Sequence, residues 1–310
     1  MNAPFPPPSS QAPLLLGGLH EIAENYDVIL CDVWGVIHNG ITHFPKAAEA
    51  LTRFRAKGGI VVLITNAPRP HGKVIELMDA LGVPRTAFDG LVSSGDVTVS
   101  LILERGACSL AHIGPAQDRS LFDAATDLSG KPVQFAGLEA ADFVVCTGLF
   151  DPDTETPADY AARLELMRRR DLDFICANPD IVVEVGTTLV YCAGALAEAY
   201  AAIGGRVIQA GKPYPPIYAR ALAEAAAIAG KPLDLSRVLA IGDAMHTDIK
   251  GAYSQSLDAL FVTSGIHRSE LHGAELHTGA QAAALDAAAF RQFFDDNSIA
   301  PRAAITELTW

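Results

Sequence analysis

The sequence predicts an α/β fold, a mostly parallel sheet covered by helices on both faces and interrupted by a second α/β unit. Three observations predict it. Short apolar runs alternate with helix-period segments from Asp27 to Ser94, and the same alternation returns from Arg206 onward. The stretch between them, residues 105–206, carries strand and helix candidates of its own and is too long for a loop. A length of 310 residues, 50% of them hydrophobic and 19% charged, supports a large buried core in one large or two ordinary domains.

The elements follow in order. Residues 1–13 hold five prolines and little that packs, so they are expected to form a disordered tail. DVILCD, IVVLITN and GLVSS are apolar runs of strand length, separated by PKAAEALTRFRAKG and RPHGKVIELMDALG. In the first of these helices Pro45 suits the initial position, Ala47, Ala48, Leu51 and Phe54 recur at helical spacing, and Gly58 and Gly59 end it. SLAHIG, FVVCTGL and DFICAN are the strands expected of the inserted unit, with PADYAARLELMRRR as a helix between the last two. RVIQAGK, SRVLAIGD and DALFVTSG, with the helix YPPIYARALAEAAAIAG, then read as a return to the host sheet. The expected boundaries are therefore 14–104 and 207–310 for a discontinuous host and 105–206 for the insertion.

Charge and composition exclude several functions. With 23 basic against 36 acidic side chains the net charge is −13, which disfavours nucleic acid and anionic membranes as partners. Arg168 to Arg170 close an expected helix, where cations favour the dipole, and read as a solvated helix end. The opening residues lack the charged and apolar regions of a signal peptide, and no stretch stays apolar for the ~18 residues of a membrane span, so a cytoplasmic protein is expected. Cys31, Cys108, Cys146, Cys176 and Cys192 have no CxxC spacing and read as buried free thiols. No GxGxxG follows a strand, and neither GxxxxGK[ST] nor GxSxG occurs in its required context. A homo-oligomer is compatible with the sequence, which does not specify one.

Open α/β sheets bind ligands outside the carboxyl ends of their strands, where this chain places small polar and charged residues. Asp32 follows VILC, Thr65 and Asn66 follow VVLI, Lys212 follows VIQAG, and Asp243 follows VLAIG. Singly, each has an ordinary explanation as a cap, turn or loop residue. Together they suit phosphoryl transfer, because a phosphate dianion repels an attacking carboxylate until its charge is neutralised. Mg²⁺ between two aspartates does this with hard oxygen ligands, while Lys212 holds the nucleophile and a phosphoryl oxygen, and Thr65 and a backbone N–H near Asn66 donate to another.

These segments, CDVWGVIHNG, VVLITNAPRP, FICANPD, QAGKPYPPIYARAL and AIGDAMHTDIKGA, resemble the haloacid dehalogenase superfamily from about Asp27 to Gly265. The resemblance is to its NagD-like branch, subfamily IIA. It implies a Rossmann-like three-layer core with an inserted α/β cap of the C2 type. It makes Asp32 the nucleophile that forms an aspartyl-phosphate, Thr65 and Asn66 the second motif, and Lys212 the third. Asp243 becomes a Mg²⁺ ligand alongside Asp32 and the backbone carbonyl of Trp34, with Asp248 in the outer shell supporting the metal or Lys212.

One position departs from the pattern. Phosphatases of this family carry Asp two residues after the nucleophile as acid and base; here that residue is Trp34, whose indole cannot exchange a proton. General acid–base assistance is worth about 10²–10⁴-fold, so turnover is expected to be reduced unless another group substitutes. His38 and His246, within or near the motifs, are the stand-ins the sequence offers, although both also read as ordinary loop histidines. Dehalogenases of the family also lack that Asp, but they replace the acidic ligand that this chain keeps as Asp243. The expected function is a Mg²⁺-dependent phosphatase of a small phosphorylated metabolite, and the alternative is a catalytically feeble protein that binds Mg²⁺ and a phosphorylated ligand. The segment ANPDIVVEVGTTLVYCAG is expected to approach the crevice and contribute to specificity, unless it merely connects cap and core.

Overall fold

In the computed structural model, which describes residues 13–185, 188–272, 285–297 and 299–310, the apolar runs become two parallel sheets and one hairpin. The chain lays down β1 (Leu14–Leu16), β2 (Val28–Cys31), α1 (Pro45–Ala56), β3 (Ile60–Thr65), α2 (His71–Ala80), β4 (Gly90–Ser93) and α3 (Ser94–Glu104). It then builds β5 (Leu110–Ile113), α4 (Ser120–Ser129), β6 (Phe143–Cys146), α5 (Ala161–Arg169), β7 (Asp173–Cys176), the hairpin strands β8 (Val182–Val185) and β9 (Thr188–Tyr191), α6 (Ala193–Ala202) and β10 (Arg206–Gln209). After α7 (Pro215–Ala229) it returns with β11 (Val238–Gly242), α8 (Lys250–Ser254), β12 (Asp258–Val262) and, near its end, β13 (Ala303–Ile305). The seven-stranded sheet has the order β1-β13-β12-β11-β2-β3-β4, the four-stranded sheet β10-β7-β6-β5, and both are parallel throughout.

Strands covered on both faces need apolar side chains at successive positions, which is why the runs are continuous. Ile29, Cys31, Val61, Leu63, Leu239 and Ile241 pack in one core cluster on one face. Their neighbours Val28, Leu30, Val62, Ile64, Val238 and Ala240 pack in a second cluster with Ile217, Tyr218 and Ala221 of α7. The smaller sheet divides in the same way, Val144, Cys146, Phe174 and Cys176 on one side and Phe143, Val145 and Ile175 on the other.

Several expectations change. RVIQAGK forms β10, which pairs with β7 rather than with the host sheet, and Ala210 N–H extends that pairing to the Cys176 carbonyl. The alternating rhythm identifies a strand without naming its sheet, so the return to the host falls a few residues after the expected boundary at 206/207. β1 and β13, which lengthen the host sheet at one edge, have no counterpart in the sequence reading, and the tail assigned to residues 1–13 lies almost wholly outside the described residues. Four cysteines are buried as expected, but Cys108 is exposed because it sits in the polar turn before β5. Among the described residues no helix is long and apolar enough to cross a membrane.

Candidate active site

Parallel strands bring their carboxyl ends to one edge, and the register decides who meets there. Cys31 pairs with Ile241 and Leu63, so Asp32, Thr65 and Asp243 emerge side by side from β2, β3 and β11. Lys212 arrives from the link after β10. Its Nζ donates to Asp32 Oδ1 at 2.5 Å and to Asp248 Oδ1 at 2.6 Å. All four residues are buried, at 2% exposure for Lys212 and 4–5% for the three aspartates.

Backbone groups fix the carboxylates. Asp243 Oδ2 accepts the N–H of Ile266 at 2.8 Å, and Asp248 Oδ2 accepts that of Ala244 at 3.1 Å from within a π-helical turn, Met245–Ile249. Two glycines leave the necessary room: a Cβ on Gly35, whose φ is +82°, would lie 2.1 Å from Asp243 Oδ2, and one on Gly265 would lie 1.9 Å from it. Asn66 ties the second strand end to the lysine, since its Oδ1 accepts Lys212 N–H at 2.7 Å and its Nδ2 donates to Lys212 O at 3.3 Å. Thr65 Oγ1 accepts the N–H of Ala67 at 3.2 Å.

The electrostatics follow from three carboxylates and one ammonium in a dry site. Burial, and then the charge of Asp248, pushes the Asp32 carboxyl well above the ordinary carboxylate range against the pull of Lys212. The same two causes raise Asp243 to about 7. Burial opposes the charge on Lys212, but Asp248 and Asp32 outweigh it and keep the ammonium protonated. Carboxylate oxygens of Asp32, Asp243 and Asp248 lie within 4.8 Å of one another. Surplus negative charge on hard oxygen donors at that spacing fits a divalent cation such as Mg²⁺.

Asp32, Thr65, Asn66, Lys212 and Asp243 line a cavity of about 320 Å³ to which the inserted unit contributes one wall. The expected approach of ANPDIVVEVGTTLVYCAG holds, because Asn178, Asp180, Val182, Val183 and Glu184 all line it. Arg69 Nε reaches across to the buried Asp118 at 2.9 Å and bridges the two units.

Trp34 is positioned by its neighbours. Gly40, at φ +84°, presses against the indole so closely that a Cβ there would lie 2.5 Å from it, and the His38 ring meets it edge-on at 5.2 Å. Its Nε1 donates to the Glu184 carbonyl at 2.8 Å, across the crevice to the β8–β9 hairpin. Trp34→Phe keeps the ring and removes this donor; amide exchange across 182–191 should quicken while global stability falls by only about 0.5–1.5 kcal/mol, the usual net worth of one hydrogen bond. Unchanged exchange, read by mass spectrometry, would show that the bond does not hold the hairpin.

The two histidines divide. His246 is exposed and absent from the cavity wall, whereas His38 is buried and lines it. His38 Nδ1 accepts Gly40 N–H at 3.1 Å, its Nε2 is buried without a partner, and burial lowers its pKa to about 4. Asp180 went unnoticed as an individual residue. Its Oδ1 accepts from Asn66 Nδ2 at 2.9 Å, and burial raises its pKa to about 6. It follows a buried strand through DFICANP, the same signature that singled out Asp32.

Comparison with known proteins agrees with this geometry. Residues 29–126 match the haloacid dehalogenase-like hydrolases and residues 209–288 match a second family described as HAD-hydrolase-like. A haloacid dehalogenase-like hydrolase from Brucella suis is 44% identical, with a TM-score of 0.80 over 94% of this chain and 98% of that one. The 5'-nucleotidase YutF of Bacillus subtilis is 25% identical over 249 residues, 80% of this chain and 91% of that protein. A 4-nitrophenylphosphatase from Thermotoga maritima shares the fold at 23% identity, with a TM-score of 0.59 over 79% of this chain and 88% of that one.

Proposed function

The chain belongs to the haloacid dehalogenase-like hydrolase family, and from that premise we propose that it hydrolyses a small phosphate monoester through a phosphoryl group carried on Asp32. One observation carries the reading: a buried carboxylate at a strand end, held at 2.5 Å by an ammonium and flanked by two more carboxylates, facing a cavity between the two units. Lys212 holds Asp32 in place and meets a phosphoryl oxygen. The hydroxyl of Thr65 and the backbone beside Asn66 donate to another. Asp32, Asp243 and the backbone carbonyl of Trp34 would hold Mg²⁺, with Asp248 bracing Lys212 from outside. When bound, Mg²⁺ supplies the charge neutralisation that the phosphoryl oxygens require. Residues from about 105 to 209 act as the cap that excludes water and selects the substrate, and the reaction is placed in the cytoplasm.

Trp34 supports a second reading, in which the crevice binds Mg²⁺ and a phosphorylated ligand but scarcely turns it over, because the indole is engaged with Glu184 and offers a hydrogen-bond donor but no general acid or base. A phosphate-release assay with Mg²⁺ over a panel of phosphorylated metabolites separates the two. Nucleoside monophosphates come first, given the nucleotidase relative. Binding without release supports the second reading, and neither binding nor release defeats both.

The metal assignment has its own check. A ligand held only by the folded state stabilises it, by about 2.7 kcal/mol at a hundredfold excess over Kd. Mg²⁺ should therefore raise the thermal midpoint of the wild type and raise that of Asp243→Asn much less; equal shifts would place the cation elsewhere. The pH dependence has a definite sign. Asp243, raised to about 7, binds its proton more tightly folded than unfolded, so metal-free stability declines as pH rises from the ordinary carboxylate range through about 7. Saturating Mg²⁺ should flatten that decline.

A further inference from the structure

The crevice has a nucleophile, but position 34 offers no proton carrier, and the titratable groups that line the cavity can be weighed in turn. Asp32 and Asp243 are committed to attack and to the cation, and Lys212 is committed to two carboxylates. His38 fails on its tautomer. Its Nδ1 accepts from Gly40, so the ring is the neutral form with its proton on Nε2, and a neutral imidazole gives up that proton only far above physiological pH. Accepting a proton on Nδ1 would break the Gly40 bond and charge a buried ring. Arg69 is paired with Asp118 and Lys73 with Glu76, Arg268 is a guanidinium with no acceptor atom, and Glu184, half-buried on the hairpin, meets the host sheet's loop through its backbone carbonyl, which accepts from Trp34.

Asp180 remains. We propose that Asp180, delivered by the inserted unit, protonates the leaving oxygen and then takes a proton from the attacking water, the work that Trp34 cannot do. The inference rests on the phosphoryl-transfer reading above. The carboxyl lines the same cavity as Asp32, Thr65 and Lys212. Oδ1 is fixed by Asn66, the same amide that grips both backbone groups of Lys212, while Oδ2 makes no hydrogen bond among the described residues. The backbone is equally fixed: Asp180 N–H donates to Asn178 Oδ1 at 3.1 Å, and its carbonyl accepts from Gly194 at the start of α6. A carboxyl raised to about 6 is poised to give and regain a proton near neutrality.

The protons balance over two steps. Asp32 attacks phosphorus, the P–O bond to the alcohol breaks, and the leaving oxygen takes the proton of Asp180, giving the aspartyl-phosphate, the free alcohol and an Asp180 carboxylate. Water then attacks phosphorus and gives one proton to Asp180. The bond to Asp32 breaks, hydrogen phosphate leaves, and both carboxyls return to their starting states.

The test compares an alkyl phosphate with 4-nitrophenyl phosphate, whose leaving oxygen needs little protonation, in the Mg²⁺-loaded full chain. Asp180→Asn can keep the Asn66 contact. It should cut alkyl phosphate turnover by about 10²–10⁴-fold, leave the first-turnover burst of 4-nitrophenol nearly unchanged, and accumulate phosphate on Asp32, seen by mass measurement after acid quench. Asp180→Glu should recover part of the alkyl activity. Equal losses for both substrates in burst and steady state would make Asp180 a mere support for Asn66 and overturn the proposal, as would no loss at all. If Asp180→Asn does not fold, solvent isotope effects on the wild type decide. A larger effect on alkyl than on aryl turnover that persists in Asp180→Glu, where a carboxyl still carries the proton, supports the proposal, and equal effects overturn it. A wild type inert to both esters, with no phosphate on Asp32, defeats the phosphatase reading itself and this inference with it.

Discussion

Asp32→Asn abolishes phosphate release, with an expected loss of about 10⁴-fold or more, because an amide is neither a competent nucleophile nor an anionic ligand for a cation. The change is nearly isosteric and sits at the end of β2, whose core partners are untouched, so the fold is retained. Stability should rise. Burial and the charge of Asp248 both oppose ionisation of Asp32, and replacing it removes one of the two carboxylates that share the Lys212 ammonium. A variant that is dead and yet melts at a higher temperature without metal is the signature of a site that stores repulsion for function. Residual release above about a hundredth of the wild-type rate would deny Asp32 the nucleophilic role, since surrounding groups alone do not sustain that rate when a covalent nucleophile is lost. Acid quench and mass measurement complete the test, with phosphate trapped on the wild type and none on the variant.

Much of this site was legible because parallel sheets make strand ends meaningful. Asp32, Thr65 and Asp243 each follow an unbroken apolar run, and the register of β11, β2 and β3 carries them to one edge. Lys212 was legible as a residue but not for the reason first given, since its strand β10 belongs to the other sheet. Periodicity identifies elements, whereas pairing is decided by contacts between distant segments. Trp34 shows the same limit more sharply. The sequence reveals that its indole cannot move a proton, but the Glu184 carbonyl that receives its N–H lies 150 residues away on a hairpin the alternation did not announce. His38 looked chemically suitable until the Gly40 N–H fixed its tautomer, a backbone contact no spacing rule encodes. Asp180 was hidden in plain view because a carboxylate in a connecting segment reads as a turn residue until a strand end such as Asn66 is found against it.

Lys212→Met has the largest expected effect on stability. Methionine approximates the length of the lysine stem but leaves Asp32 and Asp248, 5% and 4% exposed, without the ammonium that both contact. Removing one partner of a buried ion pair costs about 3–5 kcal/mol, and here a single ammonium serves two carboxylates. The metal-free variant should therefore unfold at markedly lower urea concentration than the wild type at pH 8. The penalty should shrink as pH falls, with a sign that can be worked out. Without Lys212 the Asp32 carboxyl is raised still further, so the folded state binds protons that the unfolded chain releases. Stability then increases as pH drops from 8 toward the ordinary carboxylate range. Mg²⁺ should restore much of the loss at pH 8 and shift the midpoint more in the variant than in the wild type, since the cation supplies the compensating charge that the lysine no longer provides. Phosphate release should stay depressed even with Mg²⁺, because Lys212 also orients Asp32 through a directed 2.5 Å contact that a cation bound elsewhere on the carboxylate does not reproduce. A Lys212→Met protein as stable as wild type at pH 8 without metal would mean that the aspartates are already neutral there, and the site would then lack the charge that both the nucleophile and the cation require.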